Sequence, residues 1–120
     1  MSEDKRYNGW TNYETWLIKL WIDNDEGSYL YWKEIAQDAY DNPAVNQYME
    51  LDRRRVHVLV ERLKDEHEER CQEASGENGF VADLLNAALC EVNWYEIAES
   101  LLEDVDKNEE TEYESEAANV

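Results

Sequence analysis

The chain has 120 residues with 30 acidic and 11 basic side chains, a formal net charge of −19, and it also contains five Trp and eight Tyr. A chain of this length folds as one domain, and its aromatic content separates it from acidic chains that stay unfolded. It has no apolar run of about 18 residues, so the sequence predicts no membrane span. The first four residues lack the basic and apolar regions of a secretory signal. With two widely separated cysteines and no cysteine framework, the sequence predicts a cytoplasmic protein.

The acidic charge is concentrated in the second part of the chain. Residues 1–70 carry sixteen acids and ten bases, whereas residues 71–120 carry fourteen acids and a single base, Lys107. A nucleic acid or an anionic lipid surface would be repelled by the second part. We therefore expect neither direct nucleic-acid binding nor membrane binding there.

The first predicted element is a helix over about 12–23, which follows a flexible arm over residues 1–9. Thr11 is the expected N-cap, and Glu14 would reach back to complete a capping box. Apolar residues then recur at helical spacing. The tryptophans expected to anchor this helix in the core are Trp10, Trp16 and Trp21.

The second and third helices are predicted over about 29–40 and 44–74. Ser28 is the expected cap of the second helix, and Pro43 ends that segment because proline disfavours helix in the residue before it. The third helix has an apolar stripe at helical spacing that should face the core. Its members are Val56, Leu59, Val60 and Leu63.

A strongly apolar fourth helix is predicted over about 80–91, and a fifth follows Asn93, which repeats the capping pattern with Glu96. Strand signals are nearly absent. The predicted fold is therefore all-α, a compact bundle of about five helices over residues 10–106. The acidic segment 107–120 is predicted to be a disordered tail.

Two segments carry a resemblance to known proteins. The stretch from Trp10 to Trp16 reads W-T-N-Y-E-T-W, and the stretch from Glu91 to Ala98 reads E-V-N-W-Y-E-I-A. Together they resemble the signatures of a small protein family found on phages, plasmids and other mobile elements. The resemblance implies a biological context rather than a mechanism. Small acidic proteins on mobile elements are often inhibitors of host defence, which by analogy is the expected context here.

Searches for catalytic motifs give no candidate. The chain contains neither a phosphate-binding glycine loop nor a G-x-S-x-G nucleophile turn. Neither His57 nor His67 belongs to a Glu-x-x-His pair, so we expect no metal site and no cofactor. Cys71 follows His67 by one helical turn, but the surrounding acids would raise its thiol pKa and oppose thiolate formation. We expect a protein without enzymatic activity.

The charge itself suggests a function. Duplex DNA carries about one charge per 1.7 Å of axis, so nineteen charges correspond to about 32 Å of duplex. The expected partner is a basic nucleic-acid-binding protein of the host, which the acidic chain would inhibit by imitating DNA. The predicted contact residues lie on the outer sides of the fifth and second helices, and they are Glu91, Glu96, Glu99, Glu103, Asp106, Glu34 and Asp38.

Two other interpretations remain open at this point. The protein could be an adaptor that binds through Tyr29, Tyr31 and Tyr48, because exposed aromatic residues are favoured at interface hot spots. The acids would then only steer a partner or keep the protein in solution. The sequence also leaves open a homodimer.

Overall fold

A computed structural model describes residues 6–107, and within this range five helices follow one another without a strand between them. The helices are α1 (Tyr13–Asn24), α2 (Glu26–Asp41), α3 (Leu51–Ser75), α4 (Gly79–Cys90) and α5 (Trp94–Glu103). The predicted all-α fold is confirmed. None of these helices combines the length and apolar character that a membrane crossing requires. Apart from Lys107, the predicted tail lies outside the described residues.

Four of the five helices begin with an Asn or Asp whose side-chain oxygen accepts a hydrogen bond from the backbone three residues later. These N-caps are Asn12, Asp25, Asn78 and Asn93. The predicted Thr11 cap is wrong by one residue, because Asn12 Oδ1 accepts from the Thr15 N–H at 2.9 Å. Ser28 does not cap α2 either. Its own N–H donates to Asp25, so α2 begins three residues earlier than predicted.

Residues 7–10, part of the predicted flexible arm over residues 1–9, form a tight turn. The first five residues of that arm lie outside the described residues. Tyr7 and Trp10 exchange two backbone hydrogen bonds of 2.9 and 2.8 Å. Asn8–Gly9 between them both have positive φ, as in a type I′ turn. The ring of Tyr7 lies 5.0 Å from that of Tyr13 and 4.8 Å from that of Trp16. This aromatic contact holds the turn against the first helix.

Helix α3 begins seven residues later than predicted, because residues 42–50 form an irregular connection. Asn46 closes a local turn there by accepting from Tyr48 N–H through its side chain and from Met49 N–H through its carbonyl. Such side-chain bonds to nearby backbone compete with helix formation. At its other end α3 stops at Gly76, whose φ of +55° favours glycine.

The core is built around α3, which packs against α2, α4 and α5. Leu59 and Leu63 are fully buried and meet Ile97 of α5 in one apolar cluster. The predicted α3 stripe is confirmed for Leu59, Val60 and Leu63, while Val56 is partly buried at the edge of this cluster. The packing of α3 against α5 is thus the centre of the bundle.

The buried side of α1 differs from the prediction. Thr15, Lys19 and Ile22 face inward, whereas the Trp21 side chain is 65% exposed. Since successive residues on a helix are about 100° apart, burying Ile22 and Lys19 turns Trp21 away from the core. Trp21 is therefore not a core anchor. Lys19 is accommodated by two hydrogen bonds of 2.8 and 2.6 Å to Asp23.

A histidine lies between two tryptophans where α2, α3 and α5 meet. The His67 ring is stacked 5.6 Å from the Trp32 ring and lies 5.4 Å from the Trp94 ring. Its Nδ1 is 2.7 Å from the Leu63 carbonyl, a distance that requires the proton on Nδ1. Burial lowers the pKa of His67 below its ordinary value. The neutral ring is therefore the form that fits this position.

The pH dependence of stability tests this assignment. Because the folded-state pKa of His67 is lowered, the contribution of this residue to stability is complete above the unfolded pKa of about 6.5. It is lost as the pH falls from that value through the lower folded-state pKa. Between pH ~7.5 and ~5.5 the melting temperature of the wild type should therefore fall more than that of His67→Gln. His57→Gln, on the same helix, controls for the loss of an imidazole. Equal pH slopes in wild type and His67→Gln would contradict the assignment.

Candidate functional site

The two segments singled out in the sequence meet in space at the N-termini of α1 and α5. Asn12 donates through Nδ2 to the Glu91 carbonyl at 2.6 Å. Thr15 Oγ1 accepts from the backbone N–H of Asn93 at 2.9 Å and donates to Asn12 Oδ1 at 2.6 Å. The cap of α1 is therefore bonded directly to the connection between α4 and α5.

A second pair of bonds completes the contact. Asn93 donates through Nδ2 to Thr11 Oγ1 at 3.1 Å, and the Glu96 carboxylate accepts from the Thr11 N–H at 2.9 Å. Asn93 also caps its own helix, as predicted, by accepting from the Glu96 N–H. In a capping box the Glu96 side chain would accept from the backbone N–H of Asn93. Here it accepts instead from the Thr11 N–H, which precedes α1.

We call these residues the cap network, namely Thr11, Asn12, Thr15, Asn93, Glu96 and the Glu91 carbonyl. Helix N-termini leave backbone N–H groups without intrahelical partners, and the network provides partners for such groups at two helices together. Thr15 is fully buried and Asn12 nearly so. Because these polar groups are bonded to one another, the network has a structural role, and Glu96 belongs to it rather than to a freely accessible acidic surface.

The other predicted contact residues on and around α5 are exposed. The side chains of Glu91, Glu99 and Glu103 make no hydrogen bond or ion pair with any part of the chain that the structure describes. Asp106 is held through its backbone, since its N–H donates to Gln37 Oε1 at 2.8 Å and its carbonyl accepts from Gln37 Nε2 at 3.1 Å. Gln37 thereby ties the segment that follows α5 to α2.

The predicted acids of α2 are also exposed. Asp38 accepts a hydrogen bond from Asn42 at 2.9 Å, and Glu34 lies one turn before it. Gln37 also donates to Asp41, at 3.3 Å, while it holds Asp106. The structure therefore brings the acidic end of α2 next to the end of α5, whereas Glu91 lies at the opposite end of α5.

A pocket of about 280 Å³ lies between Glu99 and Glu103 of α5 and the first two turns of α3. Its lining residues are Tyr40, Asp52, Arg55, Val56, Glu99, Leu102, Glu103 and Lys107. Arg55 is buried, with its guanidinium 3.7 Å above the Tyr40 ring and 3.4 Å from Asp52. Glu99 and Glu103 thus share the pocket rim with two cations, which moderates the local negative potential.

A further acidic row, absent from the predicted contact residues, runs along α3. Glu61, Asp65, Glu69 and Glu73 are all exposed and stand four residues apart. Like charges at this spacing destabilise a helix by about 0.2–0.5 kcal/mol per pair. The spacing is visible in the sequence and could have indicated the row. The row extends over about 18 Å of the helix.

The three predicted interface tyrosines have different surroundings. Tyr31 donates to Glu66 at 2.6 Å and accepts from Arg62 at 3.2 Å, and its hydrogen bond to Glu66 raises the Tyr31 pKa. The Tyr29 ring lies 5.9 Å from the Lys33 ammonium. Tyr48, in the connection before α3, is 90% exposed. Tyr48 is therefore the most accessible of the three.

The structure also bears on metal binding. Among residues 6–107, no group of three or more His, Cys, Asp or Glu side chains is arranged to hold a metal ion. Both cysteines are free thiols, with Cys71 half-buried and Cys90 exposed on α4.

The cap network can be tested by removing one hydroxyl. Thr15→Val keeps the shape of the side chain but leaves the Asn93 N–H without its acceptor. An unsatisfied buried donor costs about 1–3 kcal/mol, so we expect a loss of this size in the free energy of unfolding, measured in urea. Thr15→Ser retains the hydroxyl and is the matched control. A stability of Thr15→Val no lower than that of Thr15→Ser would contradict the role assigned to this bond.

Comparison with curated proteins gives no match, and neither does comparison with solved structures. One family model does match, over residues 3–114, which include both segments of the cap network. That family is described only as one of unknown function. Since the match extends over nearly the whole chain, the protein belongs to the family of unknown function DUF7249.

Proposed function

We propose that this protein binds a basic nucleic-acid-binding protein of the host and inhibits it by occupying its phosphate-binding surface with carboxylates. The observation that carries the proposal is the charge imbalance of the folded part. Residues 6–107 contain 23 acids and 10 bases. Even if each base neutralised one acid, thirteen carboxylates would have no cationic partner. Thirteen charges correspond to about 22 Å of duplex DNA.

The α5 side is the contact surface we favour. Between residues 71 and 106 the chain has nine acids and no base. Glu99 and Glu103 are exposed one helical turn apart, about 6 Å along the axis, and the acids of α2 adjoin the far end of α5. Arg55 and Lys107 line the same pocket, so their positive charges partly offset the negative potential of these carboxylates. Glu91 extends the acidic side toward the N-terminus of α5.

The physical consequence of such a surface is fast, salt-sensitive association. Complementary potentials raise the encounter rate by about 10- to 1,000-fold, and this gain falls steeply with ionic strength. The resemblance of two segments to a family found on mobile elements supports a host defence protein as the target. A DNA-binding component of such a system would present the lysines and arginines that the carboxylates could engage.

Charge reversal on two different helices tests the proposal. The triple variant Glu91→Lys, Glu99→Lys, Glu103→Lys should lose at least about tenfold in affinity for proteins captured from host lysate, because rim charges govern steering. The matched control is Glu61→Lys, Asp65→Lys, Glu69→Lys, which changes the net charge equally but lies on α3. The control should retain most of the binding.

The readout is capture at low and high salt, followed by competition with duplex DNA. DNA should release the captured protein if both occupy the same site. Circular dichroism and melting temperature establish that each variant is folded. Undiminished capture by the α5 variant would contradict the proposal, and equal losses in both variants would show that only net charge matters.

A second candidate function rests on the exposed connection before α3. Val45 is 99% exposed and Tyr48 is 90% exposed, so one apolar and one aromatic side chain of residues 42–50 are open to solvent. An adaptor that binds through Tyr48 would hold its partner with little salt dependence. Partner capture that survives high salt and is lost in Tyr48→Ala would favour this function over the first.

A further inference from the structure

Helix α4 buries fewer residues than any other described helix. Of its twelve residues only Leu89 is buried, whereas the ten-residue α5 buries four, namely Trp94, Ile97, Ala98 and Leu101. Within residues 6–107 the extensive packing of α4 is with α3 alone, while each of the other four helices packs against at least two. Segments with few buried apolar contacts are those that open locally at the lowest free energy.

Two pockets interrupt the contact between α3 and α4. One of about 440 Å³ lies toward the start of α4, between Cys71 of α3 and Ala82 and Leu85 of α4. The other, of about 370 Å³, lies further along, where Lys64 of α3 approaches Leu89. Well-packed protein interiors leave few gaps larger than a water molecule. The contact that holds α4 in place is therefore less completely packed than a core contact.

The end of α4 is attached to a second helix. Leu89 is buried there, and the Glu91 carbonyl that follows accepts a hydrogen bond of 2.6 Å from Asn12 Nδ2. The Asn93 N–H donates to the Thr15 hydroxyl at 2.9 Å. Through these bonds of the cap network, the chain that leaves α4 is fixed to α1.

The start of α4 has only local bonds. The Gly76 N–H donates to the Gln72 carbonyl at 3.1 Å, and the Asn78 N–H donates to the Ser75 carbonyl at 2.9 Å. Both bonds stay within the connection that leads out of α3. Gly76 has a φ of +55°, and a glycine at this position can absorb a large change in backbone angles. Among the described residues, no hydrogen bond joins the first turn of α4 to another helix.

We propose that residues 79–86, which we call the α4 flap, open away from α3 while the last turn of α4 stays attached through the cap network. A helix of about twelve residues is marginal in water by itself, so the detached turns lose their helical hydrogen bonds. Opening uncovers Cys71 and the half-buried Val81 and Leu85, and it leaves α5 in place. This inference is independent of the proposed host partner, because none of the proposed contact residues lies in α4.

Hydrogen exchange of backbone N–H groups in the full chain, followed by NMR, is the first test. Protection factors of residues 83–86 should be at least about tenfold lower than those of residues 88–90, and those of α5 should be higher still. Exchange in residues 83–86 should also respond weakly to low urea, because local opening exposes less surface than global unfolding. Uniform protection along α4, whatever its level, would overturn the proposal.

A pair of glycine substitutions tests whether opening begins at the first turn. Gly79→Ala raises helix propensity there, at a site where an added Cβ would meet nothing within 4 Å. We expect exchange in residues 83–86 to slow by about two- to fivefold. Gly27→Ala, in the first turn of α2, is the matched control and should leave exchange in α4 unchanged. Unchanged exchange in Gly79→Ala, or equal slowing in both variants, would show that α4 does not open separately and would refute the flap.

Discussion

The hydrogen bonds between the N-termini of α1 and α5 are the constraint on which the arrangement of the bundle depends. Residues 78 to 85 positions apart in sequence satisfy one another's donors and acceptors there. The Asn93 N–H, for example, is bonded to the buried Thr15 hydroxyl. With Asn12 and Thr15 bonded to the connection between α4 and α5, α1 packs on α2 and α5 with its Thr15, Lys19 and Ile22 side inward. The exposure of Trp21 follows from that choice.

The same contact explains why acidic residues of similar appearance have different roles. Glu96 and Glu99 are three residues apart on α5, but Glu96 is bonded to the Thr11 N–H and Glu99 lies on the rim of a pocket. A carboxylate at a helix N-terminus is stabilised by the unpaired N–H groups and the helix dipole. A carboxylate on the outer side, such as that of Glu99, is surrounded by solvent instead.

The folded protein therefore has two surfaces of opposite character. The outer sides of α2, α3 and α5 carry exposed acids, whereas α4 exposes Phe80 and Leu84 and has one charged residue, Asp83. Salt weakens attraction between an acidic surface and a cation, but it reduces repulsion between two acidic molecules.

The sequence by itself determined the all-α class, the five helices and the inward stripe of Leu59, Val60 and Leu63, because helical periodicity and capping are properties of neighbouring residues. It also indicated Asn93 as the cap of α5. The tertiary structure alone decided that Trp21 and Phe80 are exposed and that Glu96 bonds to Thr11. An apolar stripe shows which side of a helix could be buried, but whether a neighbour covers it depends on contacts between residues far apart in sequence.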